Sequence, residues 1–207
     1  FRLVRKSLRE REIVLDSAPH LCWPLRFVLP HDAGQRPAWM IRVGLFLYDH
    51  LARRRRLPRS TAVDLRAHPA GQPLESRYTK GFVYSDAWVD DARLVVLTAM
   101  DAREHGATVL TRTRCARLAP RDDRWAVTLR RDDGRELAIE ARAVVNATGP
   151  WVDRFLDGAT PVPARRHPRM VKGSHIVVPR LFEHEFAYIF QSPDGRIVFA
   201  IPYEGDY

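Results

Sequence analysis

The 207 residues hold 34 Lys+Arg against 25 Asp+Glu, a formal net charge of +9 with histidine neutral, and are 45% hydrophobic and 29% charged. That apolar share excludes wholesale disorder, and the length allows one large domain or two small ones burying roughly 70% of the unfolded surface. No apolar run approaches the roughly 20 residues of a membrane-spanning helix, and two cysteines, Cys22 and Cys115, exclude a disulfide framework or a four-cysteine zinc site.

So few cysteines point to a reducing compartment, with both as small core residues. Only three of the 34 basic residues, Lys6, Lys80 and Lys172, are lysines. Arginine pairs with carboxylate and phosphate through a rigid fork, which suggests anionic partners; a genome-wide arginine bias explains the excess equally well. The chain opens at Phe1 rather than at Met and is expected to be a piece of a longer protein.

In chain order, residues 1–18 set Leu3, Val4, Leu8, Ile13, Val14 and Leu15 among charges of mixed sign, an amphipathic helix closed by Pro19. Leu21–Leu29 reads as an edge strand, interrupted by Pro24 and closed by Pro30. His31–Gly34 is a turn. From Pro37, a good first helical residue, a helix is expected to about Leu57, apolar on nearly every face and ending in Arg53, Arg54, Arg55 and Arg56. Cations suit a helix C-terminus, so core packing explains the segment. A membrane-surface helix over 39–57, with its arginines on anionic lipid, is the alternative, and nucleic acid a third.

Residues 58–77, with Pro58, Pro69, Gly71 and Pro73, read as loop. A strand follows over Gly81–Trp88. Asp90 or Asp91 caps a helix over Ala92–His105 that Gly106 stops, and Ala107–Leu110 resumes as strand. This succession is the rhythm of a doubly wound sheet. After an extended Arg112–Leu118, Trp125–Arg131 and Glu136–Ala141 form a hairpin about Asp132-Asp133-Gly134. Ala143–Asn146 is a buried strand running into Ala147-Thr148-Gly149-Pro150-Trp151. Val171–Pro179, Phe186–Gln191 and Arg196–Pro202 read as antiparallel strands, the last two joined by a Ser192-Pro193-Asp194-Gly195 turn.

Small residues at the end of a strand let backbone approach a ligand, and open α/β sheets bind ligands beyond their carboxyl ends. Ala147-Thr148-Gly149 fits that pattern, although a plain turn explains it as well. In context, the order from Val89 to Trp151 resembles the second half of the FAD-binding domain of D-amino-acid-oxidase-like flavoproteins. The resemblance implies an adenine-side backbone contact at Cys115 and a return turn lined by Ala147, Thr148, Gly149 and Trp151.

Longer runs narrow the resemblance. Ser17–His31, Gly81–Asp86, Val171–Pro179 and Arg196–Tyr203 are similar to FAD-dependent glycerol-3-phosphate dehydrogenase, and the similarity covers essentially the whole chain. It implies a bacterial flavoenzyme, peripheral on the cytoplasmic face of the inner membrane. Such enzymes oxidise glycerol 3-phosphate to dihydroxyacetone phosphate and pass electrons to quinone. The family's Gly-x-Gly-x-x-Gly turn, which cradles the pyrophosphate, is absent, as are its downstream Gly-Thr-Thr-Asp turn and a phosphate-gripping arginine. The 207 residues alone are therefore expected neither to bind FAD tightly nor to turn over.

His20, His50, His68, His105, His167 and His184 sit beside turns, helix ends or prolines, where solvation is the default, and no pair has metal-ligand spacing, so no metal is assigned. His175 follows Lys172-Gly173-Ser174 within an apolar run. Composition alone makes it a core histidine. The resemblance instead places it at the substrate as the general base, a role that imidazole suits near neutral pH. Lys172 and Ser174 are candidates to hold the phosphate, although alternation along a strand would point them to opposite faces unless Gly173 bends it.

The expected fold is thus α/β, part of a doubly wound FAD-binding domain plus an antiparallel-sheet substrate domain. Residues 1–88 form a helical and strand segment of the substrate and membrane-facing region, 89–160 the second half of the FAD-binding domain, and 161–207 the antiparallel sheet of the substrate domain. Two other functions stay open: an oxidase using oxygen, and a non-catalytic basic module binding anionic lipid or nucleic acid. The strands lack the basic–aromatic interleaving of nucleic-acid binders, so no nucleic-acid partner is expected.

Overall fold

A computed structural model describes residues 2–164, 167–192 and 194–207. The chain forms two compact units, one running to Thr98 and resuming over Ile176–Tyr207, the other Ala99–His175.

The first unit starts with helix α1 (Arg2–Ser17), whose buried residues Leu8, Glu12 and Leu15 recur at helical spacing on one face. Leu15 packs with Ala18, Leu21, Cys22 and Leu57 in one of two cores. The other joins Val28, Leu65, Ala70, Val83 and Tyr188. Both draw on a five-stranded sheet in the order β2 (Thr61–Asp64), β3 (Lys80–Val89), β1 (Cys22–His31), β7 (Ala187–Gln191), β8 (Ile197–Ala200). β1 and β7 are parallel; the other neighbours are antiparallel.

β1 is therefore central, not the edge strand its prolines suggest. It pairs with β3 along its whole length, from Cys22↔Val89 to His31↔Lys80, but with β7 only at Phe27 and Val28. Pro24 and Pro30 lie outside that second pairing, so their missing N–H groups leave no gap there. β2 was hidden in a stretch that reads as loop, because four residues carry too little periodicity to stand out.

Helix α2 (Ala38–His50) ends at His50, well short of the Leu57 expected for the 39–57 helix. Side-chain acceptors stop it. The Glu12 carboxylate takes the backbone N–H groups of Arg55 and Arg56 at 3.0 and 3.2 Å, and Asp49 takes both the N–H and the hydroxyl of Ser60 at 2.8 and 2.7 Å. The arginine run is thus an irregular connection rather than a helix terminus. Core packing of α2 is not what the sequence suggested either: Trp39, Met40, Val43, Phe46 and Leu47 all remain exposed. Its anchor is Tyr48, which receives a hydrogen bond from Arg11, donates to Ser85 O, and meets Tyr84 edge-on.

Asp90 caps helix α3 (Asp91–Glu104) through Arg93 N–H at 3.1 Å, and Gly106 ends it at φ +91°, where only glycine is unstrained. The second unit is a three-stranded antiparallel meander, β4 (Thr113–Arg121), β5 (Arg124–Arg131) and β6 (Glu136–Ala141), with helix α4 (Val152–Ala159) packed on β4. Leu118 and Val127, cross-strand partners, are buried. The hairpin turns at Gly134, φ +84°.

Three segments expected as strands are not: 107–110, 143–146 and 171–179 run without a ladder partner among the described residues. Their apolar side chains are exposed, Val145 by 87% and Val171 by 82%. Hydropathy made them look like strands, but a strand exists only against a hydrogen-bonded neighbour. The β7–β8 turn closes by Gly195 N–H to Ser192 O at 2.9 Å; Pro193 of the expected turn lies outside the described residues.

Candidate functional site

All eight residues singled out from the sequence, Cys115, Ala147, Thr148, Gly149, Trp151, Lys172, Ser174 and His175, fall within the Ala99–His175 unit. The turn into α4 is built by one side chain that sequence reasoning passed over. Asn146 Oδ1 accepts the N–H and the hydroxyl of Thr148 at 3.3 and 2.7 Å, and Asn146 Nδ2 donates to Val152 O at 3.2 Å. The Asn-x-Thr pattern of an Asx-turn was the available signal. Gly149 then takes φ +56°, and nothing lies within 4 Å of where a Cβ would stand. It is glycine for its backbone angle, and the space beside it is open. Trp151 N–H bonds to Thr148 O, while its ring stays 63% exposed.

Cys115 sits at an irregularity in the β4–β5 ladder, whose register shifts between Cys115 and Arg117. A bulge of this kind leaves backbone groups outside the ladder and available to a ligand. The thiol itself is half-buried, and desolvation pushes its pKa up, opposed by the Arg117 backbone. It is a poor nucleophile there, so any role belongs to the main chain.

Lys172, Ser174 and His175 lie in an exposed, unpaired stretch, and Gly173 has open space where a Cβ would be. His175 has no hydrogen bond or ring contact among the described residues. It is not the core histidine that composition suggests. The alternation argument against Lys172 and Ser174 acting together lapses, because no strand fixes their faces. Another pair does form in this unit: His167 Nδ1 lies 3.0 Å from Asp153 Oδ2, so His167 is held rather than simply solvated.

A profile of the family described as FAD dependent oxidoreductase matches residues 1–207. The chain belongs to that family. Among its relatives, a glycerol-3-phosphate dehydrogenase of Pseudomonas aeruginosa is 54% identical over 203 residues, 98% of this chain and 39% of the relative. A D-erythritol 1-phosphate dehydrogenase of Brucella abortus is 50% identical over 207 residues, 100% of this chain and 41% of the relative. The aerobic glycerol-3-phosphate dehydrogenase of Escherichia coli is 47% identical over 208 residues, 100% and 41% respectively. The chain thus spans about two fifths of these relatives. A solved structure, the glycerol-3-phosphate dehydrogenase of Bacillus halodurans complexed with FAD, superposes with a TM-score of 0.62 at 22% identity, covering 98% of this chain and 36% of that one. That likeness establishes a shared α/β fold.

Two features of the Ala99–His175 unit leave main chain and space for a bound group of the kind the family's description names. The bulge at Cys115–Arg117 frees main chain, and the Ala147–Gly149 turn offers small side chains with open space beside Gly149.

Proposed function

We propose that the whole protein oxidises the secondary alcohol of glycerol 3-phosphate to dihydroxyacetone phosphate, with quinone as the electron acceptor. The observation that carries this reading is the 47–54% identity, across essentially this whole chain, to proteins named glycerol-3-phosphate dehydrogenase. Bound FAD supplies the hydride acceptor. Ala147, Thr148, Gly149 and Trp151 hold it from the return turn, and the Cys115 main chain holds its adenine side. His175 takes the proton from the substrate hydroxyl, the general-base role that imidazole chemistry serves. Lys172 supplies charge and Ser174 a hydroxyl to the phosphate. In this reading 89–160 is the second half of the FAD-binding domain, flanked by substrate-domain segments 1–88 and 161–207.

The test uses the full-length enzyme. Glycerol 3-phosphate should reduce a quinone analogue without releasing hydrogen peroxide; peroxide release would make it an oxidase. His175→Ala should lower the rate by about 10²–10⁴, and wild-type turnover in that variant removes His175 from the mechanism. The Brucella relative favours a second substrate, D-erythritol 1-phosphate; the ratio of kcat/KM for the two polyol phosphates decides between them.

The same reading puts the enzyme on an anionic membrane surface, at the cytoplasmic face of the inner membrane. Its support is the exposed apolar face of α2 together with exposed Arg5, Arg9, Arg53 and Arg59 around an 840 Å³ cleft. The four-arginine run does not act as one patch, because Arg54 is tied to Asp49 and Arg56 to Asp16, each at 2.6 Å. No helix among the described residues is long and apolar enough to cross a membrane. Pelleting with liposomes should require acidic lipid and fall with salt.

A further inference from the structure

Two histidines that the proposed chemistry does not use, His68 and His184, both pack on Phe186 just ahead of β7, half-buried rather than solvated as their neighbours in sequence suggest. His68 Nδ1 accepts the N–H of Ala70 at 3.2 Å, opening a single 3₁₀ turn over Pro69–Gly71. Its ring leans on Phe186, 5.1 Å between centroids. His184 Nδ1 accepts the N–H of Phe186 at 3.3 Å, and its Nε2 is 2.8 Å from Tyr188 Oη. Tyr188, 1% exposed, donates its hydroxyl proton to Ala70 O, and Ala70 is fully buried.

These bonds fix the protonation of the His184 ring. The one hydroxyl hydrogen of Tyr188 is used on Ala70 O, so toward His184 the phenol oxygen can only accept, and Nε2 must carry a hydrogen. His184 Nδ1 faces the Phe186 N–H and must keep its lone pair. The His184 imidazole is therefore neutral, as the Nε2–H tautomer. A proton on its Nδ1 would set N–H against N–H, break that bond, and leave a charge beside Phe182 and Phe186.

From this geometry we infer that His184 and Tyr188 form a proton-operated latch, fastening the 65–78 loop to β7 while the His184 imidazole is neutral and releasing it on acidification. Within the loop, Gly71 packs directly on the Leu65 backbone, where a Cβ would clash. Desolvation pushes the His184 pKa below its ordinary value, as does the neighbouring His68 ring, while backbone hydrogen bonds at His184 and Phe186 and the Glu185 carboxylate oppose the shift. Glu183 and Glu185 are drawn toward Arg180 at 3.5 and 3.9 Å, and on the loop side Asp64 is held by Arg66 and Glu75 by Arg77. A base whose folded pKa is lowered stabilises fully above its unfolded value near 6.5 and loses that contribution as pH falls below it.

Hydrogen–deuterium exchange of the full-length flavoenzyme between pH 7.5 and 5.5, corrected for intrinsic exchange, tests the latch. Peptides containing Ala70 and Phe186 should lose protection together by about tenfold per pH unit per proton taken up, while the β5 peptide stays flat. His184→Asn, which keeps an acceptor near Nδ1 but does not titrate, should flatten the response. A flat wild-type profile, or an undiminished slope in the variant, overturns the latch. Should His184→Asn not accumulate, Tyr188→Phe replaces it: protection of both peptides at pH 7.5 should drop toward the acid value, and unchanged protection overturns the inference. None of these readouts depends on the flavin chemistry.

Discussion

Asp49→Ala is the most demanding test of how the arginine run is held. Asp49 is 7% exposed at the end of α2, and its Oδ2 accepts both hydrogen bonds from Ser60. Its Oδ1 lies 2.6 Å from Arg54 Nη2 but off the hydrogen-bond direction, an ion contact rather than an aligned bond. Alanine would leave the Arg54 guanidinium buried without its counter-charge and the buried Ser60 N–H and hydroxyl without acceptors. Breaking a buried pair by removing one partner costs about 3–5 kcal/mol, and the two orphaned Ser60 groups add up to about 1–3 kcal/mol each. Urea unfolding of the full-length protein, followed by circular dichroism, should show that loss. Removing Arg54 as well should restore part of it, because the uncompensated charge goes. Glu136→Ala is the control: its pair with Arg130 is half exposed on both sides and is worth about 0–1 kcal/mol. Equal losses for Asp49→Ala and Glu136→Ala would refute the claim that burial sets the magnitude.

Leu15→Ala, at a residue 1% exposed in the α1 core, should cost about 2–5 kcal/mol in the same unfolding assay. Asn146→Ala removes three hydrogen bonds from the turn ahead of α4 and should leave the purified full-length protein with flavin bound roughly tenfold more weakly, read by flavin fluorescence on dilution. Burial pushes the thiols of both Cys22 and Cys115 up, so each carries less thiolate than a free cysteine at any given pH. Maleimide labelling near pH 7 should accordingly be slower than for a small thiol and should accelerate only on alkaline titration.

Local chemistry made much of the fold readable. The α1 stripe, the Asp90 cap, the Gly106 stop and the Gly134 hairpin each rest on a few adjacent residues, and each stands where the sequence puts it. What misled was decided by residues far away in the chain. α2 ends early because Glu12, more than 40 positions upstream, binds the backbone of Arg55 and Arg56. β1 is central because β7, far downstream, pairs with it at two positions clear of both prolines. At the candidate site, Ala147-Thr148-Gly149 was conspicuous for its small residues, while the side chain that shapes the turn, Asn146, was read only as the end of a strand. Neighbouring turns and prolines made His68 and His184 read as solvated; the ring that covers His68, Phe186, lies far downstream, and Phe182 stacks on His184 from two residues before it.

The unpaired segments carry the same lesson into the functional site. Val144 and Val145 expose adjacent apolar side chains, and adjacent residues of an extended chain point to opposite faces, so both faces of 143–146 are apolar. That is the pattern of a strand covered on both sides, as in the parallel sheets of α/β proteins, and not of a surface loop. The Ala147–Gly149 turn follows directly on that segment, where ligands of such sheets bind. Exposed Trp151, Met170 and Val171 in the same unit add apolar surface that a soluble protein rarely leaves bare. In the proposed flavoenzyme, sheet neighbours from outside this chain and the flavin would cover these side chains. The turn is built by Asn146 yet open beside Gly149, so its shape is set locally whatever comes to cover it.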